Sequence, residues 1–171
     1  MSVTTVIGDY EKFIADLKQK LEDEGIEISH YPIDHVCYRV ATPEEYRITQ
    51  AALRSFSSEL AVTVHNGREF SIFRLVQPLV AVDFNIPLIE LPSPAEGKPY
   101  ATGLEHMEVV IGEEFREFWE TNRERLTLDS DMEAANATAR VTFADGRTVK
   151  FHAIPLDEAV RLQGDTFRAI E

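Results

Sequence analysis

The sequence predicts an α+β protein made of two tandem β-α-β-β-β modules, with an extra N-terminal helix ahead of them. Three observations predict it. IDHV (33–36) and LEHM (104–107) each place an aliphatic residue, an acid, a histidine and an apolar residue in a strand-like run. Both runs lead into a helix start ending in Glu-Glu-aromatic-Arg, IDHVCYRVATPEEYR against LEHMEVVIGEEFR. Between the two stretches lies LPSPAEGKP (91–99), whose prolines and glycine read as a linker.

The elements follow in order. Asp9 caps a helix whose apolar positions Phe13, Ile14, Leu17 and Leu21 keep helical spacing, ending near Gly25. IDHVCYRV (33–40) has the β-branched and aromatic content of a strand. Thr42, Pro43, Glu44 and Glu45 give a capping hydroxyl, a first-position proline and first-turn acids. They predict a helix to about Leu60 with Tyr46, Thr49, Leu53 and Phe56 on one stripe. Asn66-Gly67 between alternating runs predicts a tight hairpin, because a type I′ turn needs positive φ at both central residues. A further strand, roughly 80–91, follows a turn at Gln77-Pro78.

The pattern then restarts. LEHMEVVI (104–111) is a strand, and 113–126 is a helix with Phe115, Phe118, Trp119 and Leu126 inward. Residues 127–133 give a short strand, and Asp145-Gly146 joins a second hairpin between ATARVTF and RTVKFHAI. A short helix, PLDEAVRLQ, precedes Gly164. The expected organisation is one domain over 1–171: N-terminal helix and connector 1–32, module one 33–91, linker 92–103, module two 104–171. The two turns join different strand pairs, so the internal duplication rests on element order and the one local match.

Charge and cysteine content narrow the function classes. A formal net charge of −13 repels nucleic-acid phosphates and anionic membrane surfaces, so neither is an expected partner. No apolar run approaches the ~20 residues of a membrane helix, and MSVTTVIGDYEKF lacks the basic and apolar regions of a secretory signal. The single cysteine, Cys37, leaves no disulfide framework and no CxxC motif. The cytoplasm is the expected location. There is no GxSxG elbow and no Gly-rich phosphate loop, and Cys37 sits mid-strand as a small inward-facing filler.

Alternation within strands then places the histidines. His35, Cys37 and Arg39 share one face, and Val36, Tyr38 and Val40 the other. His106 and Glu108 likewise oppose Met107, Val109 and Ile111. If the modules pair about a pseudo-two-fold axis, His35 and His106 converge as metal ligands. The plain alternative for each is a strand histidine satisfied by a hydrogen bond. Glu90, within the apolar run NIPLIELPSP, is the anionic third ligand, or else simply reaches water at a strand end. His152 in TVKFHAIPL is the candidate fourth ligand, with Glu108 its competitor or an acid/base beside the metal; a solvated strand glutamate is its plain alternative. His30 and His65 read as surface residues. Two histidines, a carboxylate and open positions suit Fe, Mn, Ni or Zn without choosing among them.

These residues resemble the vicinal-oxygen-chelate superfamily, which includes glyoxalase I, bleomycin-resistance proteins, extradiol dioxygenases and methylmalonyl-CoA epimerase. More narrowly, IDHVCYRVATPEEY, IPLIELPSP and GLEHMEVVIG look like the YecM family, described as metal-binding members of that superfamily. The resemblance implies a cupped mixed sheet, glyoxalase-like, around a divalent metal ion held by His35, Glu90 and His106. Module two departs from it: many relatives carry a glutamate in its fourth strand, and TVKFHAIPL has none. The implied chemistry is that of an isomerase, lyase or oxygenase on a small oxygenated molecule chelated to the metal. The alternative is a non-catalytic module that sequesters a small ligand in the same cup, since fold alone does not decide function. A third alternative is a metal-free scaffold, in which the three residues do not converge.

Overall fold

The computed structural model describes residues 2–65 and 67–171. Two helices open it, α1 (Val3–Ile7) and α2 (Tyr10–Asp23). The Asp9 side chain accepts from the Lys12 amide, as its place before the helix predicts. Module one runs β1 (Ile33–Arg39), α3 (Pro43–Arg54), β2 (Ser57–His65), β3 (Arg68–Ala81) and β4 (Phe84–Pro92). Module two runs β5 (Gly103–Val110), α4 (Phe115–Asn122), β6 (Thr127–Leu128), β7 (Thr138–Thr142) and β8 (Thr148–His152). The tail adds α5 (Leu156–Leu162) and β9 (Arg168–Ala169).

All nine strands form one mixed sheet in the order β6-β7-β8-β5-β1-β4-β3-β2-β9. Each module pairs its first and fourth strands in parallel, and the modules meet where β1 runs antiparallel to β5. This is the arrangement the duplicated pattern predicts: an open cupped sheet with a pseudo-two-fold axis between β1 and β5. Both outer strands, β6 and β9, are two residues long. Such short edges offer little for another chain to pair with. Among the described residues no helix is long and apolar enough to cross a membrane.

The convex face carries the main core. Phe13, Ile14, Leu17 and Leu21 of α2 pack there with Val36, Phe73, Ile89, Met107, Val109 and Phe151. α2 is thus part of the core. Its far side is tied to the β7–β8 turn, where Lys20 Nζ lies 3.3 Å from Asp145 and Arg147 lies 3.5 Å from Asp16. α5 lies on the opposite, concave face, where Val160 packs on Ala61, Ile72 and Leu88.

Several boundaries differ from expectation for identifiable reasons. α3 ends at Arg54 instead of Leu60, because Phe56 and Ser57 are claimed by β3: the Val76 amide donates to the Phe56 carbonyl at 2.9 Å. No turn forms at Gln77-Pro78. β3 runs through it with an irregular register between Arg74 and Leu79, a place where proline's missing N–H costs little. The reversal comes at Val82-Asp83, with Val82 at φ +54°. The helix expected over 113–126 is a short 3-10 turn (Gly112–Glu114) followed by α4, and the strand expected over 127–133 shrinks to β6. Asn66, half of the expected tight turn, lies outside the described residues. Its flanks pair His65 with Arg68, and Gly67 has φ +73°.

Candidate metal centre

The β1–β5 ladder contains two bulges. Ile33 pairs with Val109 and His35 with Glu108, so Asp34 is the extra residue of β1. Cys37 pairs with His106 and Tyr38 with Leu104, so Glu105 is the extra residue of β5. An extra residue re-aims its neighbours locally. Strict alternation would send Asp34 and Glu105 to the face opposite their histidines. Instead each acid reaches the Nδ1 of the histidine that follows it: Asp34 Oδ1 lies 2.7 Å from His35 Nδ1, and Glu105 bonds His106 Nδ1. This pairing is the physical content of the repeated acid-histidine dipeptide. Asp34 is held in turn by the Leu156 amide at the start of α5, 2.6 Å from Oδ2.

With Nδ1 engaged in both rings, each Nε2 turns toward the cup. One ligand atom from each of His35, Glu90 and His106 lies within 4.8 Å of the other two. The ring centroids of the two histidines are 6.1 Å apart. His35 and His106 are buried, and Glu90 is half-buried.

Glu108 stands between the rings, also buried. Its Oε1 lies 3.1 Å from His106 Nε2, and its Oε2 lies 3.4 Å from His35 Nε2 and 2.6 Å from His152 Nε2. His152 therefore reaches Glu108, and it does not join the His35–Glu90–His106 group. His30 and His65 are exposed.

The register shows what module two places opposite Glu90. In module one Glu90 pairs with Cys37, two residues after His35. In module two the residue pairing with Glu108, two residues after His106, is Lys150. The pseudo-two-fold axis therefore relates Glu90 to Lys150, while His152 pairs with Val110 one step further along. Lys150 Nζ lies 3.3 Å from Glu108 Oε1. The sequence alone does not set Lys150 opposite Glu90, because strand register is not visible without the paired strand.

The profile of the family described as YecM protein matches residues 2–145. The chain belongs to the YecM family. Protein YecM of Escherichia coli (strain K12) is 28% identical over 109 residues, which is 62% of this chain and 56% of that protein. An uncharacterized protein of Haemophilus influenzae is 27% identical over 110 residues, 64% of this chain and 58% of that protein. The chain thus spans little more than half the length of these curated relatives. A solved structural-genomics protein, EC4020, superposes with a TM-score of 0.74 at 22% identity, covering 89% of this chain and 87% of that one. A methylmalonyl-CoA epimerase from Mycobacterium tuberculosis superposes with a TM-score of 0.51 at 11% identity, covering 75% and 91%. These likenesses show the fold, a glyoxalase-like cupped sheet shared with that epimerase.

The charges in the cup fit a divalent cation. Asp34, Glu90, Glu105 and Glu108 bring four carboxylates, faced by Lys150 on Glu108 and by Arg39, 3.5 Å from Glu105. Counted with neutral imidazoles, the state in which they ligate a metal, two negative charges are left over, and buried charge is costly unless compensated. His35 Nε2 is buried and makes no hydrogen bond. Burial disfavours the His35 cation, but the Glu108 and Asp34 carboxylates outweigh it and hold the imidazole well above its ordinary pKa. Burial would raise the Glu108 carboxyl; His152 and His35 outweigh it and hold it well below the carboxylate range. Burial would likewise lower Lys150, yet Glu108 and Glu90 keep it an ammonium. Burial pushes the Cys37 thiol up, with Glu90 and Glu105 adding to it, which fits a filler rather than a nucleophile.

Proposed function

We propose that this protein binds a divalent metal ion through His35, Glu90 and His106 and acts on a small oxygenated molecule chelated at that ion. One observation carries the reading: three ligand atoms lie within 4.8 Å of one another, two of them on histidines whose Nδ1 atoms are already held by carboxylates. Carboxylate–histidine pairs of this kind fix ring orientation and raise the basicity of the free nitrogen. Fe, Mn, Ni and Zn all suit two imidazoles and a carboxylate.

When bound, the ion supplies a Lewis acid for an oxygen of the ligand. The chain's own residues do the rest. Asp34 and Glu105 hold the two imidazoles. Glu108, buried among His35, His106 and His152, is the acid/base candidate once a bound ion leaves the ligating imidazoles neutral. α5 shields the module-one side of the cup from water through Leu156 and Val160. The reaction class is an isomerisation, lyase step or oxygenation; a module that holds its ligand without turnover uses the same three ligands.

The test is metal content by mass spectrometry, on protein purified without chelators or a histidine tag. The wild type is expected to carry near-stoichiometric metal, and His35→Ala, Glu90→Ala and His106→Ala each to lose it. A folded wild type that takes up none of Mn(II), Fe(II), Ni(II) or Zn(II) overturns the reading.

A further inference from the structure

The cup is not symmetric in charge. The pseudo-two-fold axis that relates His35 to His106 relates the Glu90 carboxylate to the Lys150 ammonium. A cation at that register position cannot ligate a metal ion. It presents a positive charge on the module-two side of the centre, beside Glu108.

A pocket of about 220 Å³ lies against it, bounded by Glu90, Glu108, Lys150 and His152 and walled by β2 and β3 of module one, Asn136 and the face of α5. The volume falls below the ~300–1,000 Å³ of drug-sized sites, which restricts the occupant to a small molecule. The Lys150 side chain is 34% exposed, so its ammonium meets the pocket as well as Glu108. On the pocket wall Asn136 Oδ1 is buried and accepts no hydrogen bond. A buried acceptor of this kind calls for a donor.

We propose that Lys150 makes this cup a receptor for a small hydroxycarboxylate, the ammonium pairing with the ligand's carboxylate and Asn136 Oδ1 accepting from its hydroxyl. The inference rests on the metal reading above and specifies the ligand class for that same centre. Charge-assisted hydrogen bonds are about twice as strong as neutral ones, so an anion at Lys150 is held in preference to a neutral isostere. Lysine acts here as a point charge on a flexible stem, without arginine's fork.

The experiment is a calorimetric titration of metal-loaded protein with four probes: glycolate, acetate, ethylene glycol and inorganic phosphate. Glycolate is expected to bind at least tenfold more tightly than acetate, ethylene glycol or phosphate. Lys150→Met is expected to keep its metal and lose at least tenfold in glycolate affinity, while Lys150→Arg keeps most of it. Lys150→Glu restores the missing carboxylate and is expected to hold metal more tightly while losing glycolate. Thermal melts confirm that each variant is folded. Equal binding of glycolate and ethylene glycol, or unchanged glycolate binding by Lys150→Met, overturns the proposal; tighter phosphate binding overturns the carboxylate assignment. Protein that takes up no metal sinks the metal reading instead. The same titration on that metal-free protein still reads the dependence on Lys150.

Discussion

Asp34 precedes His35 in the chain, yet both side chains lie on one face of the sheet, with Oδ1 2.7 Å from Nδ1. A bulge makes this possible, and Asp34 also ties the site to α5 through the Leu156 amide. Asp34→Asn keeps the shape and removes the charge. It is expected to weaken metal affinity by about 10–100-fold, the usual cost of losing a partner behind a ligand. Competition against a chelator of known affinity measures it. An unchanged affinity would show that Asp34 serves the fold alone.

Glu108 is the anion on which His35, His106, His152 and Lys150 all converge. Removing it leaves buried imidazoles and an ammonium without their counter-charge. Glu108→Leu is expected to destabilise the metal-free protein by about 3–5 kcal/mol, the scale for breaking a buried ion pair. Urea denaturation with and without metal reads this. The loss should shrink when a divalent ion supplies its own charge and draws on the imidazole nitrogens.

α2 packs on the convex core, so trimming it should cost as much as trimming a strand. Leu17 is fully buried there. Leu17→Ala is expected to cost about 2–5 kcal/mol in a single cooperative urea transition. A separate early transition for the helix would contradict its place in the core.

Asp145 gives the clearest pH dependence. The Arg147 hydrogen bond, aided by Lys20, lowers its carboxyl from 3.8 to about 2. A folded-state pKa below the unfolded one means that the carboxylate stabilises the fold above pH 4. That contribution disappears as pH falls toward 2. Asp145→Asn is expected to melt earlier than wild type at neutral pH, with the gap closing between pH 4 and pH 2. A gap that does not narrow would show that the loss comes from the turn's shape and not from the carboxylate's charge.

What the sequence revealed, and what it hid, divides along physical lines. The module order was legible because each element carried its own local signal: the Thr42-Pro43 helix start, the Asp9 cap, the alternation of β5. His35, Glu90 and His106 were legible as a group because strand periodicity fixes faces within a strand. Lys150 was not, because register belongs to two strands at once and the β5–β8 pairing is parallel, with no turn to set it. Asp34 and Glu105 were visible as residues but not in their role, since alternation assigns them to the wrong face until the bulges are known. The reversal at Val82 was hidden because a β-branched residue at positive φ is the opposite of a turn signal. β9 carries too few residues to announce itself.

That last strand has a larger consequence. Leu60 and Glu59 of β2 pair with Arg168 and Ala169, so the end of the chain is hydrogen-bonded to its first half. The two modules are therefore fastened at the far rim as well as at the central β1–β5 seam and through α5. Opening the backbone within 93–102 would leave two fragments that still recognise each other at each of these. Such a protein lends itself to being made in two parts and reassembled, with metal uptake as the sign that the halves have found one another.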